Sequence, residues 1–157
     1  MMKKYLVIGN PIEHSLSPLL HNFWINENKI NAIYEKKKLN EDEIEGLILK
    51  VIKKEVHGIN ITVPYKKKII PFLDELSFEA KSTQSVNTIY LNNNRIIGHN
   101  TDIDGFEIGM KNFQSYITKK KVLILGAGGV VPSIIFALNK MKVSEIIISN
   151  RTIKKAE

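Results

Sequence analysis

The stretch Val122-Leu123-Ile124-Leu125-Gly126-Ala127-Gly128-Gly129-Val130-Val131 decides how this chain is read. Its first four residues are a short apolar run that reads as a strand. Gly126–Gly129 then makes a tight turn, and Val130, Val131, Ile134, Ile135, Leu138 and Met141 recur at helical spacing through Val130–Met141. Glu145–Ser149 is a second short strand. Strand, glycine turn, helix and strand form a βαβ unit, the setting in which a G-x-G-x-x-G turn receives a dinucleotide. The match is partial, because Val131 stands where the third glycine belongs. Gly126 suits the turn, and Gly128 lets the backbone approach a pyrophosphate. At the end of the second strand an acid would grip the ribose 2′-hydroxyl of NAD. Here the residues are Asn150-Arg151-Thr152, with Lys155 one helical turn on. Positive charge there suits a 2′-phosphate, so NADP is the expected cofactor. Its expected contacts are Gly126, Ala127, Gly128, Gly129, Val130, Asn150, Arg151, Thr152 and Lys155.

Working outward, the same alternation fills the preceding chain. Tyr5–Ile8 reads as a strand closed by Gly9-Asn10-Pro11. Ser17-Pro18 reads as an N-cap and a first-turn proline, with Leu19, Leu20, Phe23 and Trp24 at helical spacing behind. Ala32–Leu39 is a second strand. Asn40 and Glu43 form a capping box before a helix carrying Ile44, Leu47, Ile48, Val51 and Ile52. His57–Val63 is a third strand ending at Pro64, and the pattern predicts a helix over Phe72–Lys81. Val86–Leu91 and Arg95–Gly98 pair through Asn92-Asn93-Asn94, since Asn tolerates positive φ. A helix over Asp104–Phe113 leads into the polar stretch Gln114–Lys121. The expected fold is therefore α/β: a three-layer α/β/α domain with a mostly parallel sheet over 1–113. A connector at 114–121 and a truncated Rossmann-like βαβ at 122–157 follow. Two strands and a helix leave an open edge and little core. The second unit is accordingly expected to be incomplete, and mobile or steadied by a partner.

Composition narrows the partners. The chain has 157 residues, 43% hydrophobic and 25% charged, the balance of a globular protein. It lacks cysteine, which excludes a disulfide scaffold and a thiolate metal site, and a reducing cytoplasm is the expected location. No apolar run approaches membrane-spanning length, and the N-terminus does not read as a signal peptide. Lys and Arg outnumber Asp and Glu 23 to 16, a net charge of +7 that attracts phosphates. The runs Lys36–Lys38, Lys66–Lys68 and Lys119–Lys121 have no interleaved aromatics apart from Tyr65, so nucleic acid is not the expected partner.

Further candidates lie before the glycine turn. Ser15 and Ser17, two apart at a helix start, direct two hydroxyls one way where free N–H groups favour an anion such as a carboxylate. Asn60, Thr62 and Lys66 end the third strand, where α/β sheets place ligands. Lys67 and Lys68 beside Lys66 favour its giving up a proton. Asn87 opens the hairpin, and Asp102, opening a helix, offers a carboxylate to hold Lys66. Each also has a plain structural reading: cap, turn former or solvated lysine.

Taken together, Gly9-x-Pro11-x-x-His14-Ser15-Leu16-Ser17-Pro18, Asn60-x-Thr62-x-Pro64-x-Lys66, Val86-Asn87-Thr88, Asn100-Thr101-Asp102-x-x-Gly105-Phe106, Gly126-Ala127-Gly128-Gly129 and Asn150-Arg151-Thr152 resemble shikimate dehydrogenase in order and spacing. The resemblance implies an oxidoreductase of aromatic amino-acid biosynthesis that reduces 3-dehydroshikimate to shikimate with NADPH and uses no metal. It implies Ser15 and Ser17 on the substrate carboxylate, and Asn60, Thr62 and Asn87 on ring hydroxyls. Lys66 and Asp102 become the catalytic pair, with Asp102 also binding a hydroxyl. A quinate/shikimate dehydrogenase and a non-catalytic shikimate-binding fragment are the alternatives, and a homodimer is left open. Two departures stand out. Gln84-Ser85 replaces the family's Gly-Ala, and the family's chain is longer, so weak NADP binding and little or no turnover are expected of these 157 residues alone.

Overall fold

Residues 1–155 are described by a computed structural model. The apolar run after Lys3-Lys4 forms a central strand, β1 (Lys3–Gly9). Period-two alternation sends Leu6 and Ile8 to one face and Val7 to the other. Helix α1 (Ser17–Glu27) crosses to β2 (Ala32–Lys38), and α2 (Ile44–Ile52) crosses back to β3 (Gly58–Ile61). Both β2 and β3 run parallel to β1, with Val7 opposite Lys36 on one side and Asn60 on the other. A short helix α3 (Tyr65–Lys68), strand β4 (Glu75–Leu76) and helix α4 (Phe78–Thr83) precede the hairpin β5 (Thr88–Asn92) and β6 (Arg95–His99). The sheet order is β2-β1-β3-β5-β6-β4, with the β3/β5 and β5/β6 pairs antiparallel and the rest parallel. Helices α5 (Asp102–Met110) and α6 (Gln114–Ile117) lead to a separate parallel pair, β7 (Lys121–Leu125) and β8 (Glu145–Ser149), joined by α7 (Val131–Lys140). The expected α/β architecture with a mostly parallel sheet is present.

The larger core lies on the α2 side, where Ile44, Leu47, Ile48 and Val51 cover Leu6, Ile8, Ile59 and Ile61. A smaller one on the α1 side joins Val7, Ile12 and Tyr34, with Tyr5 and Ile25 against it. The capping box forms before α2, the Asn40 N–H donating to the Glu43 carboxylate at 2.7 Å. Asn93 and Asn94 take φ of +47° and +61°, as the hairpin turn requires.

Several local expectations are overturned by tertiary contacts. Leu19, Leu20, Phe23 and Trp24 do not face the core but are exposed. Helix α1 turns its polar side inward instead: the Asn22 side chain donates to the Tyr34 carbonyl at 2.8 Å and accepts from the Tyr34 N–H at 2.9 Å. Ser17 is the first helical residue rather than the cap, and its N–H donates to Ser15 Oγ at 3.3 Å. The helix predicted over Phe72–Lys81 starts only at Phe78, capped by Ser77, whose Oγ accepts from the Ala80 N–H at 3.2 Å. Before it the chain is drawn out along β6: Asp74 N–H donates to Ile96 O, and Ser77 N–H to Gly98 O. Helix α5 begins at Asp102, two residues early, and ends in a 3₁₀ turn at Lys111–Phe113. The connector contains the helical turn α6, and Lys121 already belongs to β7. Ile52 and Val130 are exposed.

The Gln84-Ser85 departure carries an energetic signature. Gln84 sits at the C-cap of α4 with φ +48°, a left-handed conformation that favours glycine. Ser85 is 1% exposed and its Oγ has no hydrogen-bond partner. Gln84→Gly and Ser85→Ala are each expected to stabilise the chain by about 1 kcal/mol, the first by relieving strain and the second by removing an unpaired hydroxyl. Urea unfolding of both variants checks this, and a loss of stability in either would count against its explanation.

Candidate active site

The ends of β1 and β3 meet where Gly9 approaches Thr62 so closely that a Cβ on Gly9 would lie 2.5 Å from Thr62 Cγ2. Only glycine permits that contact, and it brings the loop after β1 over the end of β3. The loop and strand enclose a hollow of about 280 Å³ lined by Val7, Pro11, Ile12, His14, Ser15, Ser17 and Thr62. Three of those residues are hydroxyl-bearing, and no acid lines the hollow, which suits an anion at the start of α1.

A charged pair lies beyond the next strand end. Lys66, in α3, donates from Nζ to Asp102 Oδ2 at 2.6 Å, although 36 positions separate them. Both side chains are largely withdrawn from water, at 14% and 20% exposure. The other carboxylate oxygen, Oδ1, accepts from Asn87 Nδ2 at 2.9 Å. The Asp102 N–H donates to Asn100 Oδ1 at 2.9 Å, so Asp102 is fixed through main chain and side chain alike. Thr101 holds Asn87 in turn, its N–H donating to Asn87 Oδ1 at 3.0 Å. The lysine run does not act as one patch. Helical spacing sends Lys68 to Glu41 and Lys67 to a different cavity, leaving Lys66 with a carboxylate neighbour. Lys66 is therefore governed by Asp102 rather than by the ammonium groups beside it in sequence.

Asn60 joins these groups. Its Oδ1 accepts from the Tyr34 hydroxyl at 2.6 Å, and its Nδ2 donates to Thr88 Oγ1 at 3.1 Å and to the Asn87 carbonyl at 3.3 Å. Thr88 Oγ1 donates on to Asn87 Oδ1 at 3.0 Å. Tyr34 lies under the His21 ring, centroids 4.1 Å apart and planes within 8°. Burial pushes the Tyr34 phenol up from its ordinary value and the His21 imidazole down, so both rings are neutral near pH 7. Thus Lys66, Asp102, Asn87 and Asn60 form one hydrogen-bonded group, while Ser15, Ser17 and Thr62 line the adjoining hollow. Asn60, in β3, and Thr62, just past its end, connect the two groups.

The glycine turn stands at a third place. Gly126 has φ +102°, and its N–H donates to the Ser149 carbonyl at 2.7 Å. A cavity of about 800 Å³ opens beside Ala127, Gly128 and Gly129. A Cβ on Gly128 or Gly129 would meet nothing within 4 Å, so these backbone groups face open space in which a phosphate fits. Lys67, Ser82, Thr83 and Lys154 also line it. These four were not expected from the sequence, because nothing local in it shows that α3 and α4 face the turn. Val130 precedes α7, and Arg151 and Thr152 are exposed. Asn150 Nδ2 donates to the Thr152 carbonyl at 2.7 Å. Lys155 closes the 3₁₀ turn Ile153–Lys155, but its side chain, like Ala156 and Glu157, lies outside the described residues. Among the described residues no helix is long and apolar enough to cross a membrane, and no cluster of three or more His, Asp or Glu gathers as a metal site would.

Comparison with known proteins adds to this geometry. Residues 7–89 match the family model of the shikimate dehydrogenase substrate binding domain. Residues 107–157 match that of shikimate / quinate 5-dehydrogenase. The chain is 60% identical over 156 residues to the shikimate dehydrogenase (NADP(+)) of Pelagibacter ubique, covering 99% of this chain and 59% of that protein. Among solved structures it is similar to shikimate dehydrogenase from Aquifex aeolicus, with TM-score 0.91, 38% identity and coverage of 99% of this chain and 58% of the other. It is also similar to shikimate 5-dehydrogenase from Thermus thermophilus in complex with shikimate, with TM-score 0.86, 34% identity and coverage of 99% and 59%. The chain thus spans somewhat under two thirds of the length of these relatives.

Proposed function

The chain belongs to the shikimate dehydrogenase family, and from that premise we propose that it carries the substrate site and part of the cofactor site of an enzyme reducing 3-dehydroshikimate to shikimate in aromatic amino-acid biosynthesis. The observation that supports this most is the Lys66–Asp102–Asn87 group beside a hollow lined by Ser15 and Ser17. Ser15 and Ser17 hold the substrate carboxylate, and Asn60, Thr62, Asn87 and Asp102 meet its ring hydroxyls. NADPH, when bound, supplies the hydride. Lys66 gives a proton to the ketone oxygen as negative charge develops there, then recovers one from solvent. Asp102 keeps its Nζ aimed, and Asn87 keeps Asp102 from turning away. Residues 1–113 form the substrate domain, 114–121 the connector, and 122–157 part of the NADP-binding domain. Gly126, Ala127, Gly128, Gly129 and Val130 hold the pyrophosphate, and Asn150, Arg151, Thr152 and Lys155 the 2′-phosphate. The open cavity at Gly128 and its lining lysine Lys154 fit that assignment. A cysteine-free chain suits the cytoplasm.

Calorimetry with shikimate tests the substrate site directly. The chain is expected to bind shikimate, and Ser15→Ala and Ser17→Ala each to weaken binding about tenfold, the loss of one charge-assisted hydrogen bond. Absence of binding by the unaltered chain would overturn the assignment.

The exposed side of α1 supports a homodimer. Leu16, Leu19, Leu20, Phe23 and Trp24 form an apolar face turned away from this domain, next to the edge strand β2. Two such faces meeting around a two-fold axis would bury it. Sedimentation velocity is expected to show a dimer that Phe23→Glu converts to monomer, and a monomeric unaltered chain would refute the pairing.

A further inference from the structure

The Asn60 amide has little freedom to point otherwise than it does. The Asn87 carbonyl can only accept and so draws Nδ2 toward β5, but at 3.3 Å the contact is long and does not fix the amide by itself. Oδ1 is then left facing Tyr34, and the Tyr34 hydroxyl has to be the donor between them. Both Nδ2 hydrogens are engaged, on Asn87 O and Thr88 Oγ1, and Tyr34 takes one of the two acceptor positions on Oδ1. What Asn60 still offers a ligand is a single acceptor site, fit for a hydroxyl donor and not for a carbonyl.

Tyr34 is itself held more firmly than a strand residue needs to be. Its N–H and C=O are both taken by the Asn22 side chain, its ring is stacked by His21, and it packs with Val7 and Ile12. It is 5% exposed, so it meets no bulk solvent that could replace its bond to Asn60. Apart from Ile25, the inward side of α1 is therefore given to His21 and Asn22, which fix one phenol, while Leu19, Leu20, Phe23 and Trp24 stay outward.

We propose that Tyr34 is a positioning residue for the substrate pocket: its hydroxyl locks the Asn60 amide with Oδ1 toward β2 and Nδ2 toward β5, and so sets recognition of a ring hydroxyl at Asn60. This rests on the shikimate-binding reading above. The phenol touches no reacting atom and acts through Asn60 alone.

The test is calorimetry on the unaltered chain and on Tyr34→Phe, Asn60→Ala and the double variant, with shikimate and with cyclohex-1-ene-carboxylate, which keeps the acid but lacks the hydroxyls. Tyr34→Phe is expected to weaken shikimate binding about tenfold, because an Asn60 amide without its short hydrogen bond no longer keeps Oδ1 aimed at a ring hydroxyl, and to leave the deoxygenated acid unaffected. In the Asn60→Ala background the same change is expected to cost nothing more. Equal losses for both ligands, a penalty that persists without Asn60, or a Tyr34→Phe chain that no longer melts cooperatively would each mark Tyr34 as a packing residue and overturn the inference. Unchanged shikimate affinity would overturn it too. If the unaltered chain binds no shikimate, the functional reading fails and takes this inference with it, an outcome distinct from all the others.

Discussion

Lys66→Met is expected to lower turnover about a thousandfold, within the range that a positioned proton donor contributes, while shikimate binding changes by no more than a few-fold. Methionine keeps the length and apolar stem of lysine but has no proton to give. The alkoxide formed on reduction would then have to take its proton from water, without the charge that Lys66 places beside it. Asp102 would lose the donor on Oδ2 but keep Asn87 on Oδ1 and its backbone bond to Asn100, so the pocket walls should stand. Lys66→Arg is expected not to restore the rate, because a guanidinium holds its proton too firmly to transfer it. These rates are measurable in a chimera that joins residues 1–157 to the remaining C-terminal part of the Pelagibacter ubique relative. The same chimera should prefer NADPH to NADH through Arg151. A kcat for Lys66→Met within tenfold of the unaltered chimera would remove Lys66 from the chemistry.

Asn100→Ala should cost about 2–4 kcal/mol of stability, because several buried polar groups lose their partner at once. Asn100 is wholly buried. Its Nδ2 lies 2.9 Å from the Ser85 carbonyl, 3.0 Å from Thr83 Oγ1 and 2.9 Å from Ser133 Oγ, and its Oδ1 accepts from the Asp102 N–H. One side chain thus ties the end of α4, the start of α5 and the first turn of α7. With alanine there, the buried Ser85 carbonyl and the part-buried Asp102 N–H lose their side-chain partner. Asn100→Asp should be no better, since it places acceptors where the Ser85 carbonyl needs a donor. Urea unfolding gives the magnitude, and a loss below about 1 kcal/mol would show that water or relaxation replaces these bonds. Shikimate affinity should fall as well, because Asp102 is aimed from the same residue.

Much of this protein could be read locally. The strand–glycine turn–helix at Val122–Met141, the Asn93-Asn94 turn and the capping box at Asn40 follow from backbone requirements that a few adjacent residues satisfy. The residues proposed for the site are likewise legible in the sequence, as motifs whose joint order and spacing resemble one family. Spacing pairs Ser15 with Ser17, and the resemblance pairs Lys66 with Asp102, whereas nothing in the chain's order says that Lys67 turns toward the glycine turn.

The amino-acid sequence by itself determined every strand except β4, which turns need glycine or asparagine, and which chemical groups are available, because periodicity and φ preferences act over a few residues. Only the tertiary structure decided that α1 packs by its polar side, that residues 73–77 stretch along β6 rather than coil, and that Asn60 and Asn100 are knots between elements. Those outcomes turn on hydrogen bonds between groups distant in sequence, whose free energy exceeds the small local propensities that pointed elsewhere.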